Sequence, residues 1–318
     1  MEHFINFKNT DAAALKKIID LALEIKKNPA EYSSALKDKK LYMLFQKTST
    51  RTALSFAFAM TGLGGEYFMQ NWQDSNFGVG EMQDEIRYVS HNVDVIMARM
   101  KDIKDIYQMA KYSTVPVIDG CSNMYHPCQS MADLLTVKEK LGSFKVKFMY
   151  IGVRNNVLNS LMDSLPKLGG LLYAVTPIVN EPSKDEELYS AAVKTGNFID
   201  VGKGNPGVTE MKKLVKEMDV IYTDTWVDME FINDKKFEAL KNERIAKMLP
   251  FQINNELLKG SKAIVMHDMP IHAGYEISRE AVEGHMPTIL QQAENRKWAQ
   301  MAVLITLLSK NSISKSQK

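Results

Sequence analysis

The residues with the clearest chemical potential stand together in the run Ser49-Thr50-Arg51-Thr52. Three hydroxyl groups there can donate hydrogen bonds, and the planar guanidinium can bind a phosphate or a carboxylate through two N–H groups. An apolar segment precedes the run and a helical pattern follows it. A strand, a polar turn and a helix in this order present free backbone N–H groups to an anion. The run therefore predicts an anion site, although a capped helix start explains the same residues when they are considered alone.

Polar side chains also follow several other apolar segments. They are Arg99, His126, Asn155-Asn156, Asp224 and His267-Asp268. In open α/β sheets, ligands bind outside the carboxyl ends of the strands. Together with the run at residues 49–52, six strand ends carry such residues. Structure alone does not readily explain this number, so the pattern favours a functional site.

The elements that must position these groups alternate between strand and helix. Strand-like apolar segments are predicted at residues 40–45, 66–69, 93–98, 115–118, 146–151, 171–175, 220–223 and 263–266. Helical patterns are predicted at residues 11–27, 53–60, 84–92, 103–111, 128–141, 156–168, 184–195, 209–216, 234–248 and 286–309. Such alternation predicts an α/β protein with two doubly wound parallel-sheet domains, and Gly142-Ser143 marks the point where the pattern restarts.

Composition agrees with a globular protein of this size. The chain has 318 residues, 45% of them hydrophobic and 25% charged, and its net charge of +2 gives no indication of a nucleic-acid or membrane surface. Two cysteines, Cys121 and Cys128, are too few for a disulfide framework and fit a reduced cytosolic compartment. Residues 1–6 lack the features of a signal peptide, and no apolar run approaches the roughly 20 residues of a membrane helix.

Taken together, the motifs resemble the aspartate/ornithine carbamoyltransferase family, most closely its ornithine branch. The Ser-x-Arg-Thr signature appears at residues 49–52, the strand-end arginine as Arg99, and the His-Pro-x-Gln motif at residues 126–129. The remaining elements are Asn155-Asn156, Asp224-Thr225-Trp226, His267-Asp268-Met269-Pro270 and Glu294-Asn295-Arg296. Each motif alone is weak, but seven in order and at matching spacing make the resemblance specific.

The resemblance implies a site for carbamoyl phosphate. Its residues would be Ser49, Thr50, Arg51, Thr52, Arg99, His126, Gln129 and Arg296. Arg51 would neutralise the phosphate, Arg99 and His126 would bond the carbonyl oxygen, and Gln129 would bond the carbamoyl NH2 group. His126 taken alone could equally be a capping or core histidine. Ala53 stands where most members carry a second arginine, which predicts weaker carbamoyl-phosphate binding or loop anchoring but retained activity.

The second substrate is expected to be a cationic amine. The residues implied to bind it are Asn156, Asp224, Asp228, Met229, Asp268 and Met269. Asp228, Glu230 and Asp268 replace a serine, a glycine and a cysteine of the ornithine enzymes, and carboxylates attract ammonium groups. Asp268 is a predicted catalytic residue that orients the attacking amine and accepts its proton if its pKa is raised. Asp228 and Glu230 could instead be solvated loop residues.

The activity implied is transfer of the carbamoyl group to ornithine, giving citrulline and phosphate. Putrescine or lysine as the acceptor, and a non-catalytic binding or assembly protein that keeps the fold, are the alternatives. No cofactor is expected, and His267, Asp268 and His272 do not have the spacing of a recognised metal site.

The resemblance also implies how the chain is organised and where it acts. It predicts a first domain of residues 1–142 completed by the C-terminal helix at 287–318, and an amine-binding domain of residues 143–286. A cytoplasmic homotrimer is expected, in which the loop at residues 71–82 serves a neighbour's site.

Overall fold

The computed structural model describes residues 2–202, 206–227, 232 and 235–315. It divides into two compact units, which we describe separately. The first unit comprises Met1–Leu135 with Glu294–Lys318, and the second comprises Thr136–Ala293. Each unit contains one parallel sheet, which confirms the predicted α/β class.

The sheet of the first unit has four parallel strands. They are β1 (Lys40–Phe45), β2 (Glu66–Asn71), β3 (Val95–Arg99) and β4 (Val117–Asp119), in the spatial order β2-β1-β3-β4. β1, β3 and β4 are almost wholly buried, which explains why their sequences are continuous apolar runs. Phe45 pairs with Arg99, so the segments after β1 and β3 leave the sheet at the same edge.

Five helices accompany these strands along the chain. They are α1 (Ala12–Lys27), α2 (Thr50–Gly62), α3 (Met82–Ser90), α4 (Ile103–Tyr112) and α5 (Pro127–Leu141). α2 begins three residues before the predicted start at Ala53, because the Ser49 side chain accepts the N–H of Thr52 as an N-cap. The hydroxyl-rich run thus forms the first turn of the helix rather than a loop before it.

The second unit has a five-stranded parallel sheet. Its strands are β5 (Lys147–Arg154), β6 (Leu171–Val179), β7 (Phe198–Asp200), β8 (Val220–Thr223) and β9 (Ile264–His267), in the order β7-β6-β5-β8-β9. Thr223 of β8 pairs with His267, so β8 and β9 end side by side, and it pairs with Ile151 of β5, which continues three residues further to Arg154. The three-residue edge strand β7 was not predicted.

The helices that follow are α6 (Asn156–Ser164), α7 (Glu186–Lys194), α8 (Val208–Val215), α9 (Glu238–Met248) and α10 (Arg279–Lys315). α6 ends before Pro166, where the proline predicted a bend or an end, and a 3-10 turn, Pro166–Leu168, follows it. α10 begins seven residues before the predicted start at Met286 and contains Pro287. No helix within the described ranges is long and apolar enough to cross a membrane.

Candidate active site

The first turn of α2 supplies the hydroxyl groups of the predicted anion site. Ser49 caps the helix, and Thr50, Arg51 and Thr52 are its first three residues. The backbone N–H groups of a first turn have no partner inside the helix, and the helix dipole makes this end attractive to anions. The position of these residues therefore suits a phosphate group.

Arg296 of α10 joins three of the predicted residues inside the first unit. Its Nη1 donates to Oε1 of Gln129 at 2.7 Å and lies 3.4 Å from Nε2 of His126. Its Nη2 donates to Oγ1 of Thr52 at 3.1 Å. All four side chains are buried. Four residues that the family resemblance implied for the carbamoyl-phosphate site thus meet at one point, from α2, α5 with the residue before it, and α10.

His126 is held in its neutral form by this environment. Burial, with the positive charges of Arg296, Arg99 and Arg51, lowers the pKa of His126 well below its usual value. An arginine can only donate, so Nε2 of His126 accepts and the ring proton is on Nδ1. A neutral imidazole can donate this proton to a carbonyl oxygen without adding charge.

The three arginines lie close enough to influence one another. The pKa of Arg296 is lowered mainly by burial, and the positive charges of Arg99 and Arg51 lower it further. Arg99 ends β3, where its carbonyl accepts the N–H of Gln46. Like charges are costly to bury without an anion between them, so this group of arginines is better suited to a ligand-bound state than to an empty one.

Gln129 already has two protein partners in the structure. Its amide oxygen accepts from Arg296, and its amide nitrogen donates to Oδ1 of Asp133 at 2.9 Å. Asp133 lies one turn further along α5 and was missed, although its spacing of four residues from Gln129 was a usable signal. Binding of the carbamoyl NH2 group by Gln129 stays a prediction.

Asp119, at the end of β4, is a second residue that sequence reasoning missed. It is fully buried, and its Oδ2 accepts from Oγ of Ser122 at 2.7 Å. Burial raises the pKa of Asp119 to about 8, while the Ser122 hydrogen bond and the charge of Arg99 oppose the shift. Ser122 also receives the backbone N–H of Tyr125, the residue before His126. Asp119 therefore anchors the segment that leads to the histidine.

In the second unit, Asn155 contacts Asp224. Asn155 Nδ2 donates to Oδ2 of Asp224 at 2.6 Å, and Oδ1 of Asp224 accepts the N–H of Thr225. Asn155 is also the N-cap of α6, because its Oδ1 accepts from the N–H groups of Val157 and Leu158. Asn156 is the first residue of α6.

Asp268 and Met269 follow the end of β9, next to the position where Asp224 follows β8. The side chain of Asp268 is only 11% exposed. Met269 has a positive φ of 59° and precedes a cis peptide bond to Pro270. Two carboxylates after two paired strands make this edge acidic, which suits a cationic group. Asp228, Met229 and Glu230 lie outside the described residues.

No group of three or more metal-ligating side chains occurs in the part of the chain that the structure describes. The arginine-rich end of the first unit is suited to a phosphate, since guanidinium groups and helix N–H groups can neutralise its charge. The acidic edge of the second unit is suited to an amine.

Comparison with known proteins agrees with this chemistry. Residues 2–139 match the carbamoyl-phosphate-binding domain of aspartate/ornithine carbamoyltransferases, and residues 145–307 match the Asp/Orn-binding domain. The chain belongs to the aspartate/ornithine carbamoyltransferase family and is a carbamoyltransferase. The family prediction is confirmed.

Several relatives are similar over most of their length. An ornithine carbamoyltransferase of Archaeoglobus fulgidus is 39% identical over 98% of this chain and 99% of its own. An anabolic ornithine carbamoyltransferase of Pyrococcus furiosus is 42% identical over 86% of this chain and 85% of its own. Among solved structures, an ornithine carbamoyltransferase of P. furiosus has a TM-score of 0.83 at 36% identity and covers 97% of both chains. The anabolic enzyme of Campylobacter jejuni has a TM-score of 0.84 at 30% identity, over 98% of this chain and 100% of that chain.

Proposed function

We propose that this enzyme transfers the carbamoyl group of carbamoyl phosphate to the side-chain amine of ornithine, giving citrulline and phosphate. The observation that carries the proposal is the contact of buried Arg296 with Thr52, His126 and Gln129 beside Arg51 and Arg99. The relatives named ornithine carbamoyltransferases support ornithine as the acceptor.

Carbamoyl phosphate would bind with its phosphate at the first turn of α2. Ser49, Thr50 and Thr52 are suited to donate hydroxyl hydrogen bonds, and Arg51 to neutralise the dianion. Arg296 would share this role, because its guanidinium reaches Thr52 and Gln129. As the bond between the carbonyl carbon and the phosphate oxygen breaks, charge grows on the leaving oxygen, and these cations would stabilise it.

Arg99 and His126 would stabilise the carbonyl oxygen. The amine nitrogen attacks the carbonyl carbon, a C–N bond forms, and negative charge develops on the oxygen until phosphate leaves. A neutral His126 donates one hydrogen bond from Nδ1, and Arg99 supplies a positive charge. Both interactions strengthen as the charge develops, so they lower the barrier more than they strengthen substrate binding.

The acidic edge of the second unit would bind the amine substrate. Asp224 and Asp268 follow adjacent strands, and a carboxylate there attracts an ammonium group. Asp268 would orient the attacking amine and accept the proton that it loses. Asn156, Met269, Asp228 and Met229 are proposed to complete this part of the site.

Because the carboxylate of Asp268 can attract any ammonium group, other cationic amines should be tested as acceptors. The enzyme should be incubated with carbamoyl phosphate and, separately, ornithine, lysine, putrescine or aspartate, and the ureido product quantified. We expect ornithine to react fastest and aspartate not to react. A preference for putrescine or lysine would overturn ornithine as the acceptor, and turnover of aspartate would overturn the argument from the acidic edge.

A bisubstrate phosphonate separates the enzyme from a non-catalytic protein of the same fold. Such a compound joins the phosphate and amine parts of the two substrates, so a functional site should bind it tightly. No binding at millimolar concentration, measured by isothermal titration calorimetry, would contradict catalysis. Asp224→Leu is a suitable weakened variant, and exposed Leu240→Ala is its control.

We also propose a trimeric assembly. β2 lies at an edge of its sheet, and Tyr67, Phe68 and Met69 on it are 44%, 60% and 50% exposed. An exposed apolar edge strand favours contact with another copy of the chain. Light scattering after gel filtration should give the trimer mass, and Phe68→Asp should lower it, whereas Leu240→Asp in the second unit should not. A monomeric parent would refute the assembly.

Three further predictions about organisation stay proposals. The domain limits at residues 1–142 with 287–318 and 143–286 can be tested by limited proteolysis. Use of the loop at residues 71–82 by a neighbouring subunit can be tested by mixing two inactive variants, one changed in this loop and one at Arg51, and looking for restored activity. Cytoplasmic location is supported by Cys121 and Cys128, which are buried and not joined in a disulfide, and cell fractionation can test it.

A further inference from the structure

Two buried side chains close to Asp268, those of His267 and Glu276, form a hydrogen-bonded pair that takes no part in the proposed reaction. His267, the last residue of β9, has Nε2 3.1 Å from Oε1 of Glu276. Both residues are completely buried in the second unit. Burying a carboxylate destabilises the fold unless its hydrogen bonds compensate for the loss of water. We therefore expect this pair to have a role other than filling space in the core.

The hydrogen bonds assign the proton on the ring of His267. Nδ1 accepts the backbone N–H of Met269 at 2.8 Å, so it carries no proton. Nε2 therefore carries the proton and donates it to Glu276. Oδ1 of Asp268 lies 3.6 Å from Nδ1 and receives no hydrogen bond from it. The pair thus orients the ring so that it holds the backbone just beyond Asp268.

Glu276 contacts the same segment at its other end. Its Oε1 also accepts the backbone N–H of His272 at 2.5 Å. The backbone of Glu276 is itself fixed, because its carbonyl accepts the N–H of Ile253 at 3.0 Å. On the other side, the N–H of His267 donates to Gln292 Oε1 at 2.8 Å. Residues 268–272 are thereby tied at both ends to a rigid frame.

The segment held in this way has an unusual backbone. Met269 adopts the left-handed region, which residues other than glycine seldom enter unless the surroundings enforce it. The backbone N–H of Met269 donates a hydrogen bond to Nδ1 of His267. In the described part of the chain, Oε2 of Glu276 is buried and has no hydrogen-bond partner.

We propose that Glu276 and His267 are positioning residues that fix the backbone of residues 268–272 and thereby direct the Asp268 carboxylate at the amine substrate. The inference rests on the proposed function, since it assigns Asp268 to the amine. Neither residue would touch a substrate. Their effect would pass through the ring orientation of His267 and the conformation of Met269.

Two substitutions of His267 separate the two bonds of the ring. In His267→Asn, the side-chain oxygen replaces Nδ1 and can still accept the N–H of Met269. In His267→Gln, the side-chain nitrogen replaces Nε2 and can still donate to Glu276. We expect His267→Asn to keep at least tenfold more kcat/KM for the amine than His267→Gln, because only the asparagine holds Met269. Equal values, or the reverse order, would overturn the proposal.

Substitutions of Glu276 test the other end. Glu276→Gln keeps the accepting oxygen and should retain kcat/KM for the amine within about fivefold, whereas Glu276→Leu should lose at least 30-fold. The KM for carbamoyl phosphate should stay within about twofold in both variants, because that substrate is assigned to the first unit. Exposed Glu217→Gln is the control. An unchanged amine kcat/KM in folded Glu276→Leu, or a parallel loss of carbamoyl-phosphate binding, would refute a positioning role.

Spectroscopy provides a readout that does not depend on turnover. Long-range 1H–15N correlation spectra of the full-length enzyme should show the Nε2-protonated form of His267 in the parent and in Glu276→Gln. A ring protonated at Nδ1 in the parent would contradict the assignment. All rates should use the amine that the parent carbamoylates fastest. A parent that prefers another amine would then overturn ornithine as the acceptor while the comparison among variants keeps its meaning.

Discussion

Replacing Arg296 with methionine should damage catalysis far more than stability. Methionine fills a similar volume but removes the charge and the hydrogen bonds to Gln129 and Thr52, which measure 2.7 and 3.1 Å. It also removes the contact with His126 at 3.4 Å. The position is 3% exposed, so water cannot readily replace these interactions. The change therefore tests what one buried cation contributes.

The catalytic loss follows from the proposed role of the charge. Removing one group that stabilises developing negative charge in a buried site costs about 100- to 1000-fold in rate. Arg296 is also proposed to bind the phosphate, and a hydrogen bond to a charged group contributes about 1.5–3 kcal/mol. We therefore expect kcat/KM for carbamoyl phosphate to fall at least about 1000-fold.

Stability should change much less, because two effects oppose each other. The loss of hydrogen-bond partners destabilises the variant by about 1–3 kcal/mol for each group left unsatisfied. The lowered pKa of Arg296 shows that burial and the charges of Arg99 and Arg51 disfavour its cationic form. Removing that cation relieves the penalty. We expect the free energy of unfolding to change by no more than about 2 kcal/mol.

The assays are steady-state kinetics with carbamoyl phosphate varied, and urea unfolding with and without this ligand. Arg279→Met on the same helix is the control, since its side chain is 62% exposed and pairs only with Glu283 at 3.4 Å among the described residues. Exposed pairs of this kind contribute little. If Arg296→Met kept kcat/KM within tenfold of the parent, or lost stability and activity in proportion, the reasoning would be wrong.

Three other substitutions or labels probe neighbouring groups. Asp119→Asn should become more stable relative to the parent as pH rises from about 4 to 8, by up to about 1.4 kcal/mol per pH unit. In the folded parent the buried carboxyl stays protonated up to its pKa of about 8, whereas in the unfolded chain it ionises from about pH 4, which favours unfolding of the parent; urea unfolding across this range measures the difference. Cys128 should react with a thiol reagent only after unfolding, because burial raises its pKa to about 12. Labelling of Cys128 in the native protein at the rate of free cysteine would contradict this prediction. Asn155→Ser should keep the N-cap of α6, so the free energy of unfolding should stay within about 1 kcal/mol of the parent. It should lower kcat/KM for the amine, because the hydrogen bond to Asp224 is lost. Equal amine kinetics in the two proteins would refute the role of that bond.

The strands of the two sheets could be predicted because each is a continuous apolar run. β1 and β8 have the predicted bounds, and the structure extends β5 and β6 beyond theirs. β7 was missed because three residues at a sheet edge give too short a pattern. α10 was predicted too short: a proline such as Pro287 is typical of a first turn, but the structure continues the helix on both sides of it.

The residues of the candidate site could be proposed from their types and positions in the sequence, but their hydrogen-bond partners could not. Strand-end position identified Arg99, His126 and Asp268, since topology brings the ends of parallel strands to one edge. Nothing in the sequence connects His267 with Glu276, nine residues later, because their contact depends on how the intervening segment folds back. The same is true of Asn155, whose side chain both caps a helix and bonds Asp224. Hydrogen bonds across a fold require three-dimensional placement that spacing does not encode.

The electrostatics of the first unit also explain why a buried aspartate can lie beside a phosphate site. An ionised Asp119 would offset the charge of Arg99 and weaken attraction for a dianion. Burial raises the pKa of Asp119 to about 8, so at neutral pH the carboxyl is mostly protonated and the offset is small. Its hydrogen bonding with Ser122 still anchors the segment before His126. Burial thus lets one residue hold the segment before His126 without cancelling the positive charge that is proposed to bind the substrate.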